Sequence, residues 1–285
     1  PPMIKFRMRL PVAISTMCIA LLAGAGSTVA DAPLESLDGY VTEGAITPEL
    51  LLMVGQVERG RMYTAVAIQE ARGVRETGLQ AAFIGDARCP RIDSEKWAID
   101  YSQKRPFPAL HKGVDIPQPS GTPILAIADG TVIGKFENRD NRKGIEIMLR
   151  HTPEQTGLPF WVYSQYTHLR EMSPLPIGAT VEMGQEIGKT SNTGKSGRNV
   201  RRDALHFALL YSAHREWTRE HMFIIPKDGR WMDPNAFYRR TPPYDSDSLA
   251  ALPAGEKETP VPYLNARGVA VPPDTKRIWP YRCAE

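Results

Sequence analysis

Apolar positions along the chain fall into three textures. The first has a helical period. Thr47 offers an N-cap, Pro48 and Glu49 suit a first turn, and Leu50, Leu51, Val54 and Val57 recur on one face. A second helix is predicted over Met62–Glu76. From about residue 91 to 212 short β-prone runs alternate with Gly and Pro. Pro123–Phe136 places Asp129-Gly130 between two apolar runs, which reads as a hairpin. Gly144–Leu149 alternates, Pro159–Leu169 is aromatic and β-prone, and Ile177–Thr190 carries Gly178, Gly184 and Gly188 between short strands. Leu205–Tyr211 is a last apolar strand. The third texture is charged and aromatic over 213–240. It passes into a tail, Thr241 to Glu285, rich in proline from Pro242 to Pro280 and expected to be extended, without a core of its own. The expected fold class is mainly β: a compact antiparallel sheet domain with a helical N-terminal extension and a proline-rich C-terminal tail.

The N-terminal stretch changes the compartment. Lys5, Arg7 and Arg9 precede an apolar run from Leu10 to about Gly26, and small residues follow to Ala32. This is the pattern of a signal peptide over 1–32, with cleavage after Ala30 preferred. The run is short for a membrane span, which needs about 20 residues. Met17 is bulky where a lipidation signal ahead of Cys18 wants a small residue. The expected layout is then a signal peptide over 1–32, a helical region over 33–90, the sheet domain over 91–240 and the tail over 241–285. An exported chain, periplasmic or secreted, keeps Cys89 and Cys283 in an oxidising compartment. They read either as a disulfide or as two thiols, and neither has the CxxC partner of a cysteine metal site. The formal charge of +3 over 285 residues, with no concentrated basic segment, excludes nucleic acid as a partner.

The candidate chemistry begins at His111-Lys112-Gly113-Val114-Asp115. Gly113 and Pro117 argue against a helix. In an extended segment positions 111, 113 and 115 share a face, and Gly113 is expected to spare a metal from crowding. A lone His-x-x-x-Asp is a weak signal. His206, in Ala204-Leu205-His206-Phe207, supplies a third ligand. Two imidazoles and one carboxylate leave a fourth position open, as in catalytic zinc, where bound water ionises near pH ~7. His168, in Tyr166-Thr167-His168-Leu169, is placed to bond that water or a developing oxyanion.

The blocks HKGVDIPQPSGTPILAIADGTVI, YTHL, GATVEMGQEIGKTSNTGKSG and ALHFALL, in that order, resemble the lysostaphin/LytM-type zinc metallopeptidases. These are β-sheet peptidases of the duplicated hybrid motif fold that cut peptide crosslinks in bacterial cell walls. The resemblance covers roughly 95–212, with an echo at Met232-Asp233-Pro234. It implies that His111, Asp115 and His206 ligate Zn²⁺, that His168 is catalytic, and that peptidoglycan stem peptides are the substrate. The family pattern ends His-x-His, whereas Ala204 stands at its first position. Loss of a positioned acid–base group costs about 10²–10⁴ in rate. His214 and His221 are candidates to replace it, while Asp203 faces away on a regular strand. The alternative is a degenerate relative that binds cell wall or activates an amidase, with a divisome partner. Arg198, Arg201 and Arg202 read as a solvated loop or as contacts for stem-peptide carboxylates. His151 reads as structural, and Trp161, Trp217 and Trp231 as packing rather than a glycan platform.

Overall fold

The computed structural model describes residues 62–85, 87–92, 100–105, 109–138, 143–194, 202–215, 217–220 and 223–284. The signal peptide and the helix expected from Thr47 lie outside these residues. The first described element is helix α1, Met62–Ala71. It ends before the predicted Glu76 because Gly73 takes a left-handed φ of 94° and packs where a Cβ would meet the Trp231 carbonyl oxygen at 2.9 Å. No helix among the described residues is long and apolar enough to cross a membrane.

Strands follow in the order β1 (Gln80–Phe83), β2 (Gly113–Pro117), β3 (Pro123–Leu125), β4 (Gly130–Asn138), β5 (Gly144–His151), β6 (Trp161–Thr167), β7 (Thr180–Val181), β8 (Glu186–Lys189) and β9 (Ala204–Ser212). After β9 come β10 (Trp217–Glu220), β11 (Phe223–Pro226), β12 (Arg230–Met232), β13 (Glu258–Val261), β14 (Tyr263–Asn265), β15 (Ala270–Val271) and β16 (Arg282–Cys283). The fold is mainly β. Its principal sheet has seven strands in the order β12-β9-β6-β5-β4-β7, with β2 paired to β9. All of its pairings are antiparallel. β9 organises it: β6 runs along one edge, while β2 and β12 share the other, end to end.

The hairpin expected at Asp129-Gly130 does not form. β3 pairs with β8, whereas β4 pairs with β5 and β7. Gly130 is required by packing instead: a Cβ there would lie 2.8 Å from the Arg150 carbonyl oxygen and 2.8 Å from His151 Nδ1. β5 is buried on both faces, so the alternation seen in the sequence does not mark a solvent side. The proline-rich tail supplies part of that cover. Trp279, Tyr281 and Cys283 join the same core as β4, β5, β6 and β9. Full burial of side chains of this size contributes about 2–3 kcal/mol each. β13 adds in parallel to β1, and Cys89 is joined to Cys283 by a disulfide. The backbones of Arg88 and Ala284, next to those cysteines, exchange a pair of hydrogen bonds.

Candidate active site

Strand register assembles the site. Asp115 on β2 stands directly opposite His206 on β9, and His206 stands opposite Thr167 on β6. Directly paired residues of antiparallel strands project to one face with Cβ atoms roughly 5 Å apart, within reach of a common ion. His111 enters from the segment just before β2. Its Nε2 lies 2.9 Å from His206 Nδ1 and 3.2 Å from Asp115 Oδ1, and His206 Nδ1 lies 2.8 Å from Asp115 Oδ1. Gly113 stands opposite Ala208 on β9. A Cβ there would collide with the Phe207 carbonyl oxygen, so the glycine serves the close approach of β2 to β9.

The donor atoms fit a metal ion. His111 Nδ1 donates to the Asp100 carbonyl at 2.9 Å, which leaves Nε2 as a bare lone pair in the neutral ring. Asp115 Oδ1 can only accept. At most one proton, on His206 Nδ1, is then shared among three converging acceptors. A four-coordinate ion with ligands at about 2.0–2.2 Å needs donors roughly 3.3–3.6 Å apart, and these already stand within about 0.5 Å of that spacing. Among the described residues, His111, Asp115 and His206 form the one group of His, Cys, Asp or Glu able to hold a metal ion. Burial pushes the His206 imidazole down to about 4, against the pull of Asp115, so it is neutral and available to coordinate at pH 7. Burial alone would raise the Asp115 carboxyl. The charges and hydrogen bonds of His111 and His206 overcome that and hold it well below the usual carboxylate range. The site thus presents an ionised carboxylate beside a His206 imidazole that is neutral at pH 7.

His168 follows β6 and faces the same cluster, its ring centroid 6.0 Å from that of His206. On a regular strand it would point away from Thr167 and His206. A left-handed φ of 70° at His168 breaks that alternation. Its Nδ1 donates to the Thr193 carbonyl at 2.9 Å, which fixes the tautomer. Thr193 is itself pinned: its hydroxyl donates to the Leu169 carbonyl at 2.7 Å and accepts from Ile145 N at 3.1 Å. Beyond Thr167 the same row continues to Glu146, whose buried carboxylate accepts from the Thr167 hydroxyl at 2.7 Å and pairs with Lys143 at 3.1 Å. Sequence reasoning did not single out Asp100 or Thr193. Both act through backbone carbonyls, which leave no mark on residue type.

The remaining candidates fall elsewhere. His214 faces Asp228 at 3.4 Å, and Arg202 is half-buried ahead of β9. His221, Arg198, Arg201 and the side chain of Trp217 lie outside the described residues. Trp231 is buried, with Lys112 over its ring at 5.0 Å, and Trp161 is flanked by Arg150 and Arg215. His151 is fully buried; its Nδ1 donates to the Asp129 carbonyl and its Nε2 accepts from the Ser164 hydroxyl, each at 2.7 Å.

Residues 109–217 match the sequence model of peptidase family M23. An uncharacterized metalloprotease from Haemophilus influenzae is 32% identical over 142 residues, covering 48% of this chain and 28% of that protein. Peptidoglycan DD-endopeptidase ShyA from Vibrio cholerae is 30% identical over 161 residues, covering 53% of this chain and 33% of that protein. The chain therefore spans only 28% to 33% of the length of these relatives. The catalytic domain of the antimicrobial peptidase lysostaphin from Staphylococcus simulans superposes with a TM-score of 0.31 at 22% identity, over 42% of this chain and 77% of that one. The stretch that matches the peptidase family M23 model contains His111, Asp115, His168 and His206.

Proposed function

We propose that this chain is an exported, zinc-dependent endopeptidase that hydrolyses peptide crosslinks of peptidoglycan. The observation that carries this reading is the convergence of His111 Nε2, Asp115 Oδ1 and His206 Nδ1 to within 3.2 Å of one another. An N₂O donor set with a fourth position open is the arrangement of catalytic rather than structural zinc. Zinc bound there supplies a Lewis acid and a nucleophile active at neutral pH. The chain's own residues do the rest. The Asp100 carbonyl keeps His111 in the coordinating tautomer, and Asp115 brings the negative charge that favours a cation. His168, with Nδ1 committed to Thr193, offers Nε2 as a base that takes a proton from the reacting centre, and the imidazolium so formed can donate to a developing oxyanion. The substrate class is supported by the relative named as a peptidoglycan DD-endopeptidase. Export is supported by the basic-then-apolar N-terminal pattern and by the Cys89–Cys283 disulfide. The catalytic unit over 91–240, with extensions over 33–90 and 241–285, belongs to the same reading.

Ala204 favours a second reading, a module that keeps the metal but binds cell wall or activates an amidase. It opens β9, is 6% exposed, and has no acid–base side chain. One experiment decides between them. The full chain is loaded with zinc and incubated with purified sacculi, alongside Ala204→His. Release of cut stem peptides by the wild type supports the enzyme, and Ala204→His is expected to raise the rate by about 10²-fold or more. Binding of sacculi with no release by either protein rejects the enzyme in favour of the module.

A further inference from the structure

Helix α1 lies outside the stretch that matches family M23, yet it bonds to Leu110, the residue before His111. Gln69, in its last turns, is 1% exposed. Its Nε2 donates to the Leu110 carbonyl at 3.0 Å, and its Oε1 accepts from Leu110 N at 2.8 Å. One side-chain amide thus occupies both backbone groups of Leu110, as a neighbouring strand would. The next residue is His111. Its N–H donates to the Gln103 carbonyl at 2.9 Å and its carbonyl accepts from Ser102 N at 2.8 Å. Its ring is aimed by the Asp100 carbonyl. The 100–103 turn is tied to the same helix end, because Tyr101 Oη donates to the Gly73 carbonyl at 2.7 Å. Val74 N closes the loop onto the Gln69 carbonyl at 2.9 Å. His111 is therefore held on both its backbone and its ring by groups that lead back to α1.

We infer that Gln69 is a positioning residue of the metal centre, and that α1 sets the affinity of the site by fixing His111. This rests on the reading of His111 as a metal ligand. Side chains that hold a metal-binding constellation must do so within about 0.5 Å. Loss of a group that orients a ligand weakens metal binding by about 10–100-fold. A role confined to fold stability would lower the melting temperature of the metal-free protein and leave the affinity of the folded molecules unchanged.

The test is competition for zinc against a chromophoric chelator, using the full chain. The variants are Gln69→Ala, Tyr101→Phe and His111→Ala, with near-ultraviolet circular dichroism to establish that each is folded. Gln69→Ala is expected to bind zinc about tenfold more weakly at unchanged stoichiometry. Tyr101→Phe keeps the buried ring and removes one oxygen, and about threefold weaker binding is expected from the loss of that more remote bond. If Gln69→Ala does not fold, Tyr101→Phe decides. Folded variants that bind zinc as the wild type does overturn the inference, while loss of zinc in His111→Ala leaves the metal-site reading standing. Equal zinc binding by wild type and His111→Ala overturns both.

Discussion

Two imidazoles in this molecule, His151 and His206, are pushed down to about 4, in each case first by burial. Only His206 belongs to the site. His151 spends both nitrogens on Asp129 and Ser164 and ties β5 to β6 and to the turn before β4. The linkage sign follows from its depressed value. Between the unfolded value near ~6.5 and about 4, the unfolded chain binds a proton that the native state refuses, so stability falls as the pH drops through this window and is complete above it. A shift of this size is worth about 3 kcal/mol. His206 acts in the same direction and Asp233, pushed up to about 6 by burial, acts against both, so His151→Gln should lower the slope of urea midpoint against pH between about 6.5 and 4 by at least half. An unchanged slope would show that His151 is not the titrating group. At this scale the sequence was legible wherever a side chain speaks for itself: His111, Asp115 and His206, singled out by residue type and spacing, come together, and His168 lies beside them. Asp100, Gln69 and Thr193 were not legible. Two of them act through carbonyls, and Gln69 acts on a peptide group 41 positions away.

At the scale of elements, glycine was the source of misreading. Asp129-Gly130 has the composition of a hairpin turn, but the flanking strands pair with other partners. What calls for Gly130 is the His151 ring, a contact that no local window contains. Gly113 shows the same thing, since a Cβ there would collide with the backbone of β9, a strand about ninety positions away. The consequence can be measured. Gly130→Ala places a methyl group 2.8 Å from the Arg150 carbonyl oxygen, which is backbone and cannot swing aside. It should cost about 1–3 kcal/mol in chemical denaturation. Stability equal to the wild type would mean that β4 and β5 can separate locally at no cost. The strands themselves were readable from their composition because β-branched and aromatic runs bounded by Gly and Pro have few other uses. Their partners were not, because pairing is decided by the whole core.

At the scale of the molecule, the tail is wrapped into the body of the protein. Trp279 Nε1 donates to the Pro90 carbonyl, the Tyr281 and Thr190 hydroxyls bond each other, and Ile278 N reaches the Ile127 carbonyl. The Cys89–Cys283 link spans 194 residues and closes this wrap. Replacing both cysteines with alanine is expected to cost about 2–5 kcal/mol, because a long loop is freed in the unfolded state. His111, Asp115 and His206 bond to one another and not to either cysteine, so under the proposed function zinc stoichiometry should stay at the wild-type value in the folded double variant. Loss of zinc there, with the fold intact, would place the tail within the support of the site.

The Gly73 carbonyl receives both the Tyr101 hydroxyl and the Ser246 hydroxyl, at 2.7 and 2.6 Å. One oxygen atom thus joins chain from before the matched stretch to chain from after it. The 109–217 stretch is recognisable on its own but is not self-contained. Transplanted into another protein, it would arrive without the helix that clamps Leu110 and without the turn that aims His111. Portability in this lineage would therefore require the neighbouring segments to travel with the domain, or a new host to supply an equivalent brace.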